Sequence, residues 1–166
     1  MKKLSFLLAT LLIGGLMLTG CNKDPQPTPT PEPEPTPDKV YTVEYKILND
    51  DLLGHTMADC FKINVTYIDA NGESVTETDK PLPWIKTIEV KAPFHAQMSG
   101  TFTYNEADLP ETFGYGQYLG IVVSQGNTYL DSGIAGGIVT YKKEKFLLVY
   151  GSDPDKLKFD KSKDIN

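Results

Sequence analysis

The side chains able to do chemistry in this chain are few and widely spaced. There are two cysteines, Cys21 and Cys60, and two histidines, His55 and His95. A cysteine nucleophile needs a histidine close in space to draw off its proton. His55 precedes Cys60 by five residues in a stretch that reads as a loop. A buried structural thiol is the favoured reading of Cys60, with catalysis and intermolecular pairing as rivals. His55, His95 and Cys60 together would give zinc at most three ligands, without the close paired spacings of a zinc site. No metal is therefore expected. Asp50-Asp51 and Asp69-Asn71-Glu73 offer oxygens for calcium, yet neither follows an EF-hand loop. The second set reads better as a hairpin turn. The sequence has no Gly-rich phosphate loop and no nucleophile-elbow serine. Carboxylates are plentiful, but acid–base catalysis needs a defined separation and a shifted pKa. The expectation is a protein that is not an enzyme and holds no cofactor.

Two aromatic features point to binding or packing instead. The stretch Glu111-Thr112-Phe113-Gly114-Tyr115-Gly116-Gln117-Tyr118 reads as a loop with aromatics set between glycines. Phe113, Tyr115 and Tyr118 would there make a stacking platform for a sugar ring or a partner protein. The rival reading folds them down to close one end of the domain. Trp84, after Pro81-Leu82-Pro83, reads as a core plug whose indole N–H finds a carbonyl, and the prolines blunt a sheet edge.

Composition limits the partners. All 16 basic residues are lysines, against 22 acidic residues and a net charge of -6. Without arginine the planar fork that reads phosphate and guanine is missing. An acidic chain also repels nucleic acid, so no nucleic-acid partner is expected.

The first residues carry an address. Lys2 and Lys3 precede an apolar run from Leu4 to Leu18, the charged and hydrophobic parts of a secretory signal. That run is shorter than the roughly 20 residues a membrane-spanning helix needs. It ends in Leu18-Thr19-Gly20-Cys21, which resembles the lipobox of bacterial lipoproteins. The resemblance implies a diacylglyceryl group on the Cys21 sulfur, cleavage after the small Gly20, and acylation of the new amine. At about 0.8 kcal/mol per buried methylene, two or three acyl chains hold a protein on a membrane essentially permanently. The rival is an ordinary secretory signal with a free cysteine. Cleavage removes Lys2 and Lys3, so 14 lysines face 22 acidic residues and the net charge becomes -8. Asn22, rather than an aspartate, follows the cysteine, which favours the outer membrane, on either face.

From Pro25 to Pro37 every second residue is proline. Proline fixes φ and lacks an N–H, so this stretch joins neither a helix nor a sheet interior. At about 3.1 Å per residue it spans roughly 40 Å as a semi-rigid stalk. A proline-rich ligand for a partner module is the rival reading.

After Asp38 the pattern changes to alternation. Tyr41, Val43, Tyr45 and Ile47 share one strand face, and Phe61, Ile63, Val65 and Tyr67 repeat the device. Asp69-Ala70-Asn71-Gly72 supplies a turn. Further strands are predicted near Ser74–Thr78, Trp84–Val90 and Ala96–Tyr104, with Gly100 marking a bulge or a close approach. Others are predicted at Tyr118–Val123, Thr128–Leu130, Ile138–Tyr141 and Phe146–Tyr150. No segment holds a helical period over three turns. The fold expected is all-β, a single immunoglobulin-like antiparallel β-sandwich of about seven to nine strands. The predicted organisation is a signal peptide (1–20), a lipidated cysteine with its stalk (21–38), the sandwich (39–152), and a charged tail or edge strand (153–166).

Val65-Thr66-Tyr67-Ile68-Asp69-Ala70-Asn71-Gly72, Leu82-Pro83-Trp84 and Lys86-Thr87-Ile88-Glu89-Val90 resemble the MmpS-type small membrane-associated accessory proteins over residues 63–91. The resemblance implies a β-sandwich on the outer side of a membrane that assists a large lipid or siderophore exporter. The anchor departs from that pattern: a transmembrane helix is usual there, a lipobox stands here. The expected function is a lipid-anchored envelope protein serving as a non-enzymatic binding or accessory module for an envelope complex. The alternative is a surface lipoprotein binding carbohydrate through Phe113, Tyr115 and Tyr118.

Overall fold

A computed structural model describes residues 39–166. Gly20, Cys21 and the proline stretch lie outside the described residues. The described residues form ten strands: β1 (Val40–Leu48), β2 (Lys62–Ile68), β3 (Ser74–Pro81), β4 (Trp84–Lys91), β5 (Phe94–Thr103), β6 (Thr112–Gly116), β7 (Tyr118–Gln125), β8 (Thr128–Ser132), β9 (Ile138–Lys142) and β10 (Lys158–Ile165). A short helix, α1 (Lys143–Phe146), runs into a π-helical turn at Leu147–Gly151, and 3-10 turns lie at Glu106–Asp108 and Pro154–Leu157.

The alternation in β1 and β2 sets the inner faces. Tyr41, Val43, Tyr45 and Ile47 are all buried, as are Ile63, Val65 and Tyr67 opposite them. Each such side chain contributes about 1.5–3 kcal/mol on leaving water. One antiparallel sheet has the order β4-β1-β7-β8, the other β10-β5-β2-β3, and β6 pairs separately with β9. The architecture is an all-β sandwich. In the first sheet β1 lies between β4 and β7, and in the second β5 and β2 are central with β10 and β3 at the edges.

The β2–β3 hairpin turns at Asp69, whose carboxylate accepts from the N–H groups of Asn71 and Glu73, each at 2.9 Å. A bulge near Asp79, at φ 55°, is held by its N–H donating to the Asn64 side chain at 2.9 Å. The two sheets are also tied directly. Tyr45, in β1, donates its hydroxyl to the Ile68 carbonyl at the end of β2, at 2.8 Å. Lys163 of β10 pairs with Asp131 of β8 along the opposite side.

Four expectations need correction. The described residues hold ten strands, because β6 and β10 join those expected. Phe146–Tyr150 is helical rather than extended, since a five-residue apolar run carries no period that separates the two. The segment Glu111–Tyr118 holds strand β6 and the start of β7 rather than a loop. The Trp84 indole N–H meets the Glu77 carboxylate at 3.3 Å, not a carbonyl. The charged stretch after 153 forms edge strand β10, paired with β5 from Lys158↔Thr101 to Ile165↔Phe94. Its outward lysines discourage pairing with a further strand.

Candidate functional site

The small β6–β9 ladder, α1 and the π-helical turn close one end of the sandwich. Alternation in β6 sends Phe113 and Tyr115 inward and its glycines outward. A Cβ on Gly114 would collide with the Thr56 carbonyl, and one on Gly116 with the Gly137 carbonyl. The glycines thus allow β6 to press against neighbouring backbone, and the ring-bearing face is driven into the core. Phe113 is 5% exposed and Tyr115 1%, while Tyr118 is half-buried. Phe113 packs on Phe61 and Phe146, with ring centres 5.7 and 5.1 Å apart. An exposed platform built from Phe113, Tyr115 and Tyr118 is therefore not what the fold presents.

The polar groups singled out in the sequence are separated and already engaged. Asp51 is only 7% exposed and accepts from the N–H of Leu53 (2.9 Å), the N–H of His55 (2.9 Å), the His55 ring (3.1 Å) and the N–H of Ile138 (3.1 Å). Desolvation alone would raise its pKa, but these donors together hold it down at about 2. Its oxygens are spent on bracing the loop after β1 against β9. His95 lies across the domain's β5–β10 pair, on Asp164 at 2.6 Å. Cys60 is half-buried, and desolvation, with the Asp108 and Asp59 carboxylates adding to it, pushes its thiol up. A thiol so disposed forms little thiolate at neutral pH. Among the described residues no three His, Cys, Asp or Glu side chains gather as metal ligands.

Asp51 gives a direct test of that brace. Asp51→Ala should raise the amide exchange rates of Leu53, His55 and Ile138 roughly tenfold, with distant core amides unchanged. Because the folded carboxyl is depressed, its contribution is complete above the ordinary value of 3.8 and is lost as pH falls through about 2. Wild-type protection of these amides should fall across that window, and the variant's should not. Equal protection in both proteins at pH 7 would show that the brace has no role.

What the fold does assemble is a cleft of about 420 Å³ beside the buried rings. Tyr115, Tyr141, Tyr150 and Gln117 line it, with Lys156 at the edge and the bare backbone of Gly116, Gly136 and Gly137 as one wall. Gly136 has φ 106°, and a Cβ there would strike the Gln117 carbonyl. Side chains are thus excluded from that wall by geometry. Tyr141 and Tyr150 hydroxyls hydrogen-bond each other at 3.2 Å. Gln117 donates its amide to the Lys156 and Lys158 carbonyls at 3.1 and 3.0 Å, pinning the β6–β7 junction to the segment before β10.

Tyr115 is different. Its hydroxyl is closed to solvent and finds no hydrogen-bond partner by distance and angle among the described residues. Gln117 lies beside it and eases the phenol toward ionisation, while its amide nitrogen donates to the Lys156 and Lys158 carbonyls. Burial, reinforced by the Tyr150 phenol, pushes the Tyr115 pKa well above the ordinary tyrosine value. Burial likewise pushes Tyr150 up to about 12. Both are neutral hydroxyls at physiological pH, suited to giving and accepting hydrogen bonds and not to acting as bases.

A broader groove of about 620 Å³ lies on the outer face of the β10-β5-β2-β3 sheet. There the polar groups serve each other, as in the 2.8 Å bond between the Thr66 and Thr76 hydroxyls. Volume does not decide between the two sites.

No family model matches this chain. No curated protein matches it either. Sequence reasoning had singled out Tyr115 for its place in an aromatic stretch. It missed Tyr141, Tyr150, Gln117 and Lys156 as its companions, because pairing of β6 with β9 joins stretches with no local signal of their meeting.

Proposed function

We propose that this protein is a lipid-anchored cell-envelope protein whose β-sandwich serves as a non-enzymatic binding module. The observation that carries the reading is Leu18-Thr19-Gly20-Cys21 behind an apolar run, followed at once by the alternating prolines and then the sandwich. Cys21 takes the lipid after cleavage behind Gly20, and the stalk sets the domain off the bilayer. The outer membrane is the favoured site, and an envelope protein complex the favoured partner. Support for recognition over catalysis comes from the cleft, where burial holds the Tyr115 and Tyr150 phenols neutral and the lining lysine is already engaged. Lys156 lies 3.6 Å from Asp153 and 3.4 Å from the Val149 carbonyl.

Cys21→Ala tests the anchor. In detergent phase separation the wild-type protein should enter the detergent phase almost completely, and the variant should move to the aqueous phase. A variant that still partitions into detergent refutes anchoring through Cys21.

A further inference from the structure

We infer that Leu52 and Leu53, at the tip of the loop between β1 and β2, form a docking knob for an apolar pocket with a basic rim on a partner protein. The inference rests on the envelope-complex reading and names the surface that such a complex engages. It starts from an exposure that the fold enforces. Leu52 is 90% exposed and its neighbour Leu53 81%. Single exposed leucines are ordinary on protein surfaces, whereas adjacent ones held outward mark an interaction site. A slack loop would fold them back against the domain. This loop is closed at its base. The Asp51 N–H donates to the His55 carbonyl at 3.0 Å, and the Gly54 N–H to the Asp51 carbonyl at 3.1 Å. Gly54 takes φ 80°, the left-handed conformation that completes the turn. The Met57 N–H donates to the Asn49 carbonyl, and the Asp51 carboxylate ties the whole loop to β9 through the Ile138 N–H. The leucines lie on the segment that this closure leaves outside. Such preorganisation removes part of the ordering cost of binding.

Position and charge select the occupant. β1 begins at Val40, where the proline stretch joins the domain, and its nine residues lead directly to the loop. At about 3.3 Å per residue the tip stands roughly 30 Å from that join. An anchor at Cys21 therefore does not by itself deliver the leucines to lipid. Residues 49–60 hold three aspartates and no lysine, arginine, tryptophan or tyrosine. Asp50 and Asp59 flank the leucines in the chain, and both are exposed. Segments that settle on a bilayer carry basic and aromatic residues, because lipid surfaces are negative. A second copy is a poor match as well, since two acidic tips would meet like to like. An apolar pocket ringed by lysine or arginine on another protein suits both features. The leucines fill its floor, and Asp50 meets its rim.

The test replaces Leu52, Leu53 or Leu148 by photoreactive p-benzoylphenylalanine in the full-length lipidated protein in growing cells. Leu148, 74% exposed, is the control. Irradiation should join positions 52 and 53 to one and the same protein, and position 148 should not reach it. Peptide mapping should place the linkage in an apolar pocket flanked by lysine or arginine. With that protein purified, Leu52→Ser combined with Leu53→Ser should weaken binding about tenfold or more, and Asp50→Lys about threefold. Both variants should melt within about 2 °C of wild type, since no buried side chain changes. Adducts to lipid, or to a second copy of this chain, overturn the inference. So do the absence of a protein adduct at 52 and 53, a linkage mapped to a polar or acidic surface, and wild-type affinity in the double variant. Cys21→Ala should bind the purified protein as wild type does, so failure of the anchor and failure of the tip are read separately.

Discussion

Phe146→Ala is expected to lower the unfolding free energy by about 3–5 kcal/mol, a large part of the ~5–15 kcal/mol that holds a typical domain folded. Phe146 is completely buried. Its ring meets Tyr150 at 4.8 Å, Tyr115 at 5.0 Å, Phe113 at 5.1 Å, Tyr104 at 5.2 Å and Phe61 at 5.6 Å. Removing it leaves a cavity bounded by rings, which collapse poorly because each is already fixed by others. Truncation therefore loses both transfer energy and packing. Urea unfolding of the full-length protein should show a lower midpoint with an unchanged slope. Leu148, two positions on and 74% exposed, supplies the contrast. Leu148→Ala should stay within about 0.5 kcal/mol of wild type. A loss below about 1 kcal/mol for Phe146→Ala would show that the aromatic end does not carry the fold's stability. The same variant should abolish the cleft, since Tyr115, Tyr141 and Tyr150 all lean on this ring.

Gly100→Ala should be nearly as damaging although it adds one methyl group. Gly100 faces Val65 on one side and Phe159 on the other, in the middle of a sheet. A Cβ there would overlap the Asn64 carbonyl oxygen and crowd the Phe159 ring. The ring can shift, but the carbonyl belongs to a strand whose ladders to β3 and β5 hold it. Overpacking of this kind costs about 3 kcal/mol or more, with the strand displaced or the bulge enlarged. Gly151→Ala provides the control, because a Cβ there makes only ordinary contacts with Leu147 and Tyr104. It should be neutral or stabilising by about 0.5 kcal/mol through loss of chain freedom in the unfolded state. If both glycine variants unfold at the wild-type urea concentration, the close approach of β5 to β2 is wrong.

These two residues also mark what sequence could and could not convey. Gly100 stood out because a glycine inside an alternating apolar strand has few other reasons to be there. The alternation of β1 and β2 was equally legible, since one face of each is buried and the other wet, and a slip of one position would invert both. The Asp69–Gly72 turn was legible from the turn chemistry of its own residues. Phe146 was not, because its run is too short to show a period. The glycines of β6 misled for a physical reason. Glycine before and after an aromatic suggests a loop, yet here Gly114 and Gly116 permit close strand contact and turn the rings inward. The cleft was least legible of all. Tyr115, Tyr141, Tyr150 and Lys156 come together only through the β6–β9 ladder and the helical turn, and no local pattern records a pairing across that distance.

The position of β1 has a consequence in time. It lies between β4 and β7, so that Val43 faces Ile88 on one side and Val123 on the other, 45 and 80 positions further along the chain. The first strand made is thus among the last to acquire both neighbours. Local hairpins such as β2–β3 and β7–β8 can close early, but an isolated hairpin is marginal in water. Pairings of such long separation make folding slow. A growing chain therefore has no stable resting structure until most of the sandwich has emerged. On the proposed reading, in which the chain crosses a membrane before it is tethered, this delay keeps the polypeptide slack enough to pass. It also leaves the bare edges of β1 as the surface most in need of an escort on the way.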